Sequence, residues 1–235
     1  MKPRPGELVA VVADLDVAPE RLSRMLSTFT AREKARFYSF AQEQHRSRWG
    51  AARGTLREVL GAALGQAPAD VQIRYGAHGK PFVDGLRFNL SHSGARALVA
   101  LSVDCEVGAD IELPRPRRTD DIARRFYAPG EIERLFKLSD SAARQAEFFR
   151  LWCCKEAFLK VTGEGLSRST RSYEIELLPD GGARLLWAKG LPDAAKRYSV
   201  YPLDPGSSYR AAIVAESPPR PVRIFGTPFG DTLAI

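Results

Sequence analysis

Trp152-Cys153-Cys154-Lys155-Glu156-Ala157-Phe158-Leu159-Lys160 has a helical period, with Trp152, Glu156 and Lys160 on one stripe and Phe149 and Leu159 beside it. An earlier helical stretch echoes it: Trp49, Arg53, Leu56 and Arg57 stand 103 residues before Trp152, Glu156, Leu159 and Lys160. A second echo pairs Arg96-Ala97-Leu98-Val99-Ala100 with Arg210-Ala211-Ala212-Ile213-Val214. Together they predict an internal duplication: an α+β chain built as a pseudodimer of two similar halves, 1–113 and 114–235, with a ligand cleft between them.

Working outward, Glu7 to Asp14 reads as a buried strand. Thr30 with Glu33 forms a capping box that opens a long helical segment reaching Leu64. Short strands are expected at Val71–Tyr75 and Pro81–Val83, on either side of a turn, and then at Arg87–Leu90, Ala95–Val103 and Val107–Leu113. Leu113 to Arg118, with Pro114 and Pro116, reads as the linker. A short capped helix from Thr119 to Tyr127 follows, broken by Pro129 and Gly130. Ser141 opens a second long helix, which Gly163 stops after Thr162. Strands at Tyr173–Leu178, Arg184–Trp187, Tyr198–Tyr201 and Tyr209–Ala215 precede a proline-rich tail.

Composition narrows the function. The 235 residues are 44% hydrophobic and 27% charged, which excludes a collagen, a coiled coil or a disordered chain. Every apolar run ends long before the roughly 18 residues a membrane helix needs. Lys2 and Arg4 precede an apolar run that stops at Asp14 without a small-residue cleavage site, so a cytoplasmic location is expected. Cys105, Cys153 and Cys154 lack zinc or disulfide spacing and are expected to be reduced thiols. The formal net charge is +7, with 27 Arg against 8 Lys, and it favours an acidic partner: nucleic acid, a phosphorylated cofactor or an acidic protein.

Three pieces carry chemistry. In Gly108-Ala109-Asp110-Ile111-Glu112, a strand would place Asp110 and Glu112 on one face, where two carboxylates need a cation or strong donors between them. Glu156, on the aromatic stripe of the later helix, adds a third. Three carboxylates without histidine suit a hard ion such as Mg²⁺ rather than zinc. Phe88-Asn89-Leu90-Ser91-His92-Ser93-Gly94, with Gly79-Lys80-Pro81 before it, offers hydroxyls, an imidazole and a lysine to phosphate oxygens. Adjacent strand residues face opposite ways, so Ser91 and His92 do not read as a nucleophile and base. Lys34, Arg46 and Arg53 also fit a merely solvated helix face.

In this order and spacing, Phe88 to Ser93, Val107 to Glu112 and Trp152 to Lys160 resemble the signature of the Sfp-type 4′-phosphopantetheinyl transferases. Gly79-Lys80-Pro81 resembles an upstream motif of that family, and Arg32-Glu33-Lys34 with His45-Arg46 its basic N-terminal segment. The likeness runs from about Thr30 to Leu166. It implies the pseudodimeric fold and coenzyme A as substrate. It also implies transfer of the phosphopantetheine arm to a serine of an apo acyl or peptidyl carrier protein, releasing adenosine 3′,5′-bisphosphate. By position, Asp110, Glu112 and Glu156 would hold Mg²⁺, with Glu156 also the base and Lys160 steadying the pyrophosphate. Lys80, Pro81, Ser91, His92 and Lys155 would contact coenzyme A, with Lys34 and Arg46 reaching its 3′-phosphate. Acidic carriers match the positive chain; nucleic acid and membrane are not expected partners, and a monomer is expected. The family usually has Val or Ile where Ala109 stands, and a lysine near Thr30 or Ala31 that this chain lacks. Two other readings remain: a divalent-metal nuclease or phosphodiesterase, for which the acidic-x-Lys strand is missing, and a basic RNA-binding module, supported by arginine content alone.

Overall fold

The computed structural model describes residues 1–76, 79–115, 118–164, 168–206 and 209–226. Pro116 of the expected linker and Leu166, where the resemblance ends, lie outside them. The chain divides into two compact units: Met1–Asp104 with the segment that begins at Pro221, and Cys105–Arg220. The boundary therefore falls earlier than the expected Leu113.

In the first unit, β1 (Leu8–Asp14) is apolar to its last residue and buried along its length except at Asp14. It pairs antiparallel with β5 (Arg96–Ser102), which pairs with β4 (Arg87–Ser93). The other edge of β1 takes β11 (Val222–Gly226) in parallel, so part of the proline-rich tail is a strand. Three helices lie between β1 and the hairpin strands: α1 (Pro19–Ser27), α2 (Ala31–Tyr38) and α3 (Glu43–Leu64). The long helical segment expected from Thr30 is thus two helices, and α1 went unread. Gly65 adopts the left-handed conformation (φ 71°) that closes α3. β2 (Arg74–Tyr75) and β3 (Pro81–Phe82) form a small antiparallel pair.

The second unit carries a five-stranded sheet in the order β6-β10-β9-β8-β7, from β6 (Val107–Glu112), β7 (Tyr173–Leu177), β8 (Ala183–Ala188), β9 (Ser199–Leu203) and β10 (Arg210–Ala215). β6 belongs here because all six of its residues pair antiparallel with β10. Its helices are α4 (Thr119–Phe126), α5 (Pro129–Phe136), α6 (Ser141–Thr162) and α7 (Ala194–Arg197). Pro129, expected to interrupt, opens α5 instead: its fixed φ and missing N–H suit the first helical position. The core is Phe148, Phe149, Leu151, Ala157, Phe158 and Leu159 of α6 against Ile175, Leu185, Val200 and Val214 of the sheet.

Setting aside α7 and β11, each unit runs strand, three helices, four strands, and in each the first strand pairs antiparallel with the fourth of those, β1 with β5 and β6 with β10. The match needs no gap over fifty residues: α2 and α5, α3 and α6, and the stops Gly65 and Gly163 all stand 98 positions apart. The spacing of 103 that aligns Trp49 with Trp152 is therefore not the structural one. At 98, Trp152 takes the place of Gly54. A Cβ on Gly54 would come within 2.5 Å of Met25, so α1 leaves no room on α3 there. In the second unit α4 presents Phe126 instead, edge-on to Trp152 with ring centroids 6.4 Å apart.

The capping box of α2 forms as expected: Glu33 Oε2 accepts the Thr30 N–H at 2.8 Å while Thr30 Oγ1 accepts that of Glu33. Glu33 is also buried against Arg57, which is 1% exposed, through Nη2–Oε2 at 2.8 Å, and against Arg53. Arg53 is thus an ion-pair partner and not part of a solvated face. Burial raises the Glu33 proton affinity, but Arg57, the Thr30 N–H and Arg53 outweigh it and bring its pKa down to about 2. A folded pKa below the unfolded one contributes stability that is complete above about pH 4.5 and is lost as pH falls toward 2. Unfolding free energy measured by urea titration should decline between pH 5 and 2.5, with up to about 3 kcal/mol of the decline traceable to this group. Glu33→Gln should flatten that slope; an unchanged slope contradicts the assignment.

Candidate active site

The motifs of the second unit come together through α6 lying on β6. At Gly108 a Cβ would stand 2.1 Å from the Ala157 carbonyl oxygen and 2.5 Å from the Val161 nitrogen, so only glycine lets the helix approach this closely. Two residues along the same strand face, Asp110 (4% exposed) accepts from Lys160 Nζ at 2.6 Å. The same ammonium donates to the Ala109 carbonyl at 3.0 Å. Glu112 is half-buried at the strand end, in register with Arg210 of β10. Only strand pairing sets Arg210 across from Glu112. The Arg210 carbonyl accepts from Cys153 Sγ, a further tie between β10 and α6.

Trp152, Glu156 and Lys160 form the half-buried stripe of α6 between fully buried neighbours, as their spacing predicts. Burial, and then the charge of Asp110, push the Glu156 carboxyl above the usual range; Lys160 pulls it back and Glu112 adds to the rise. The three carboxylates therefore share one electrostatic neighbourhood. Among the described residues, no three His, Cys, Asp or Glu side chains converge closely enough to hold a metal as they stand. The donor chemistry nevertheless fits a hard divalent cation: oxygens only, with accumulated negative charge that a cation relieves. The thiols of Cys153 and Cys154 are pushed up by burial, the latter to about 12, and are inert.

Lys155 does not belong with this group. Its ammonium, 1% exposed, donates to Glu131 Oε1 at 2.8 Å, Glu131 Oε2 at 2.7 Å and the Tyr173 carbonyl at 3.2 Å. These three acceptors use all its protons, so the expected contact to coenzyme A is replaced by a place in the core.

The remaining expected residues lie in the first unit. Ser91 is buried and His92 exposed on β4, on opposite faces as strand alternation requires. Lys80 and Pro81 are half-buried at the start of β3, and Lys34 is exposed on α2. Arg46 stacks over the Phe37 ring, 6.0 Å from its centroid. A cavity of about 620 Å³ is lined by Arg32, Arg36, Arg53, Arg57 and Arg74 with Tyr75, against the single carboxylate of Glu33. Its lining carries more positive than negative charge, although Arg53 and Arg57 pair with Glu33 and Arg74 with Asp84, and its arginines come from three separate segments of the sequence.

A family model described as the 4′-phosphopantetheinyl transferase superfamily matches residues 106–214. The 4′-phosphopantetheinyl transferase HetI of Nostoc sp. is 37% identical over 206 residues, covering 85% of this chain and 83% of that protein. A 4′-phosphopantetheinyl transferase of Bacillus subtilis is 31% identical over 222 residues, covering 90% and 93%. Sfp from Bacillus subtilis is 29% identical over 222 residues, covering 92% and 94%.

Gly108→Ala should lower stability by roughly 2 kcal/mol, because the added methyl meets helix backbone rather than a movable side chain. Thermal unfolding checks this, and a wild-type melting temperature would show that α6 does not rest on β6 at this point.

Proposed function

The chain belongs to the 4′-phosphopantetheinyl transferase superfamily, and on that premise we propose that it transfers the 4′-phosphopantetheine arm of coenzyme A, with Mg²⁺, to a serine of an acidic apo carrier protein. The observation that carries this reading is the 2.6 Å contact between Lys160 and Asp110, which joins the two motifs that the family resemblance places at the reaction centre.

The serine oxygen attacks the phosphorus next to the pantetheine arm, the P–O bond to the nucleotide breaks, and adenosine 3′,5′-bisphosphate leaves. Asp110, Glu112 and Glu156 would hold the magnesium ion, which when bound neutralises charge on the pyrophosphate. Glu156 takes the serine proton, directly or through water, and its place on the half-buried stripe of α6 keeps it open to the incoming hydroxyl. Lys160, anchored by Asp110 and the Ala109 carbonyl, presents fixed positive charge where negative charge grows on the leaving phosphate. Lys80, Pro81, Ser91, His92, Lys34 and Arg46 are assigned to coenzyme A, and the arginine-lined cavity adds positive charge to the same unit. The net charge of +7 favours encounter with acidic carriers.

Incubation with coenzyme A, Mg²⁺ and a panel of apo carrier proteins, read by intact mass, should show one pantetheine arm on at least one carrier; no gain on any carrier overturns the reading. Glu156→Gln should stay folded and lose transfer by 100-fold or more, on the order of removing a general base together with a charge-stabilising group. Asp110→Asn should raise the Mg²⁺ concentration at half-maximal rate, and an unaltered Mg²⁺ titration contradicts its place at the metal. Lys80→Ala should raise KM for coenzyme A more than for the carrier; the reverse would move it to the protein interface.

A further inference from the structure

Helix α6 carries apolar residues on nearly every side: nine of them, from Phe148 to Val161, are buried together with Lys155 and spread round the axis. A helix buried on nearly every side draws weaker rotational guidance from apolar burial than one with a single apolar stripe. Rotation matters here. Lys155 and Glu156 are consecutive and so point about 100° apart, and a turn by one position would send Glu156 into the core.

Directed contacts fix that rotation. Glu131 is 1% exposed near the start of α5, and both its oxygens are saturated. Oε1 accepts the Ile175 N–H of β7 at 2.8 Å and Oε2 the Ala128 N–H at 2.8 Å, and each also accepts from Lys155. Glu131 is therefore fixed to both α5 and β7 by bonds that do not involve Lys155. The Lys155 ammonium also sits 4.1 Å from the centroid of the Tyr173 ring, and Tyr173 Oη donates to the Lys155 carbonyl at 2.9 Å. Side chain and backbone of one α6 residue are thus held at once. A pair this deeply buried adds little net stability, because desolvation offsets the attraction; what it adds is direction.

The first unit shows the same device. Glu33 near the start of α2 and Arg57 on α3 also form a buried pair, and both stand 98 positions before Glu131 and Lys155. Val12 and Ala62 occupy the places of Asp110 and Lys160 there. Glu58 and Asp14 stand in the places of Glu156 and Glu112, so the pair recurs where the Asp110–Lys160 contact does not, as expected of a device that seats the long helix.

We infer that the buried Glu131–Lys155 pair is a positioning device that sets the rotation of α6 and so holds Glu156 toward Asp110 and Glu112. This rests on the reading of Glu156 as the catalytic carboxylate. Neither Glu131 nor Lys155 touches substrate; both act through the helix.

The test replaces both charges together, Glu131→Gln with Lys155→Met, so that no lone ion is left buried. Leu185→Ala, a core truncation on β8, serves as a control for lost stability alone, and kcat and KM for coenzyme A are measured for each folded variant. The pair variant should lose kcat by 10- to 100-fold, the scale of an ångström-level misplacement, with KM within about threefold, while Leu185→Ala keeps kcat. Equal kcat in the two overturns the inference. Tyr173→Phe removes only the hydroxyl that holds the Lys155 carbonyl and serves if the pair variant does not fold: a several-fold drop in kcat at constant KM supports the inference, and wild-type kcat overturns it. Glu156→Gln, run beside them, separates the two levels. Full turnover in it removes the catalytic reading and this inference with it; its loss together with undiminished kcat in the pair variant removes the inference alone.

Discussion

The backbone of α6 rests directly on β6 at Gly108, and the site depends on that approach. One methyl group there would meet the Ala157 carbonyl at 2.1 Å. Because the helix can come this near, Lys160 reaches Asp110 two residues along the same strand face, and the charges of Asp110 and Glu112 are felt at Glu156. Two carboxylates of β6 and a carboxylate and lysine of α6, more than forty residues later in sequence, become one chemical neighbourhood where the helix lies on the strand.

The other side of α6 is held by polar contacts of unusual completeness for a core. Glu131 accepts four hydrogen bonds and Lys155 gives all three of its protons. Burial favours the neutral form of each, and mutual attraction opposes it. Such a pair specifies an arrangement more than it stabilises one. Glu33 and Arg57 form the corresponding pair for α3, with the Pro68 and Val71 carbonyls accepting from the arginine Nη1. The repeat of the element order thus extends to the fastening of each long helix.

Much of this was legible in the residues. Alternation in Val107–Glu112 put Asp110 and Glu112 on one face, the spacing of Trp152, Glu156 and Lys160 gave the stripe, and Ser141 and Gly163 bound the helix where the structure has it, although the Asp140 cap before it was not read. The capping box at Thr30 and Glu33 was equally plain. What escaped reading depends on partners distant in sequence. Lys155 looks like a surface lysine until α5 supplies Glu131. Arg210 gains meaning only from its register with Glu112. The tail strand β11 is defined by its pairing with β1, and β6 joins the second unit through β10 rather than through any linker signal. The repeat of element order stands at a spacing of 98 rather than the 103 that the tryptophans suggest, because tryptophan is conspicuous and a buried charge pair is not.

Mn²⁺ in place of Mg²⁺ offers the most direct measurement, since its position is visible by anomalous scattering in crystals grown with coenzyme A. An anomalous peak within bonding distance of carboxylate oxygens from both Asp110 and Glu156 is the predicted result. A peak bound away from either side chain, or coenzyme A seated with its pyrophosphate remote from Lys160, would contradict the convergence of β6 and α6 on one ion.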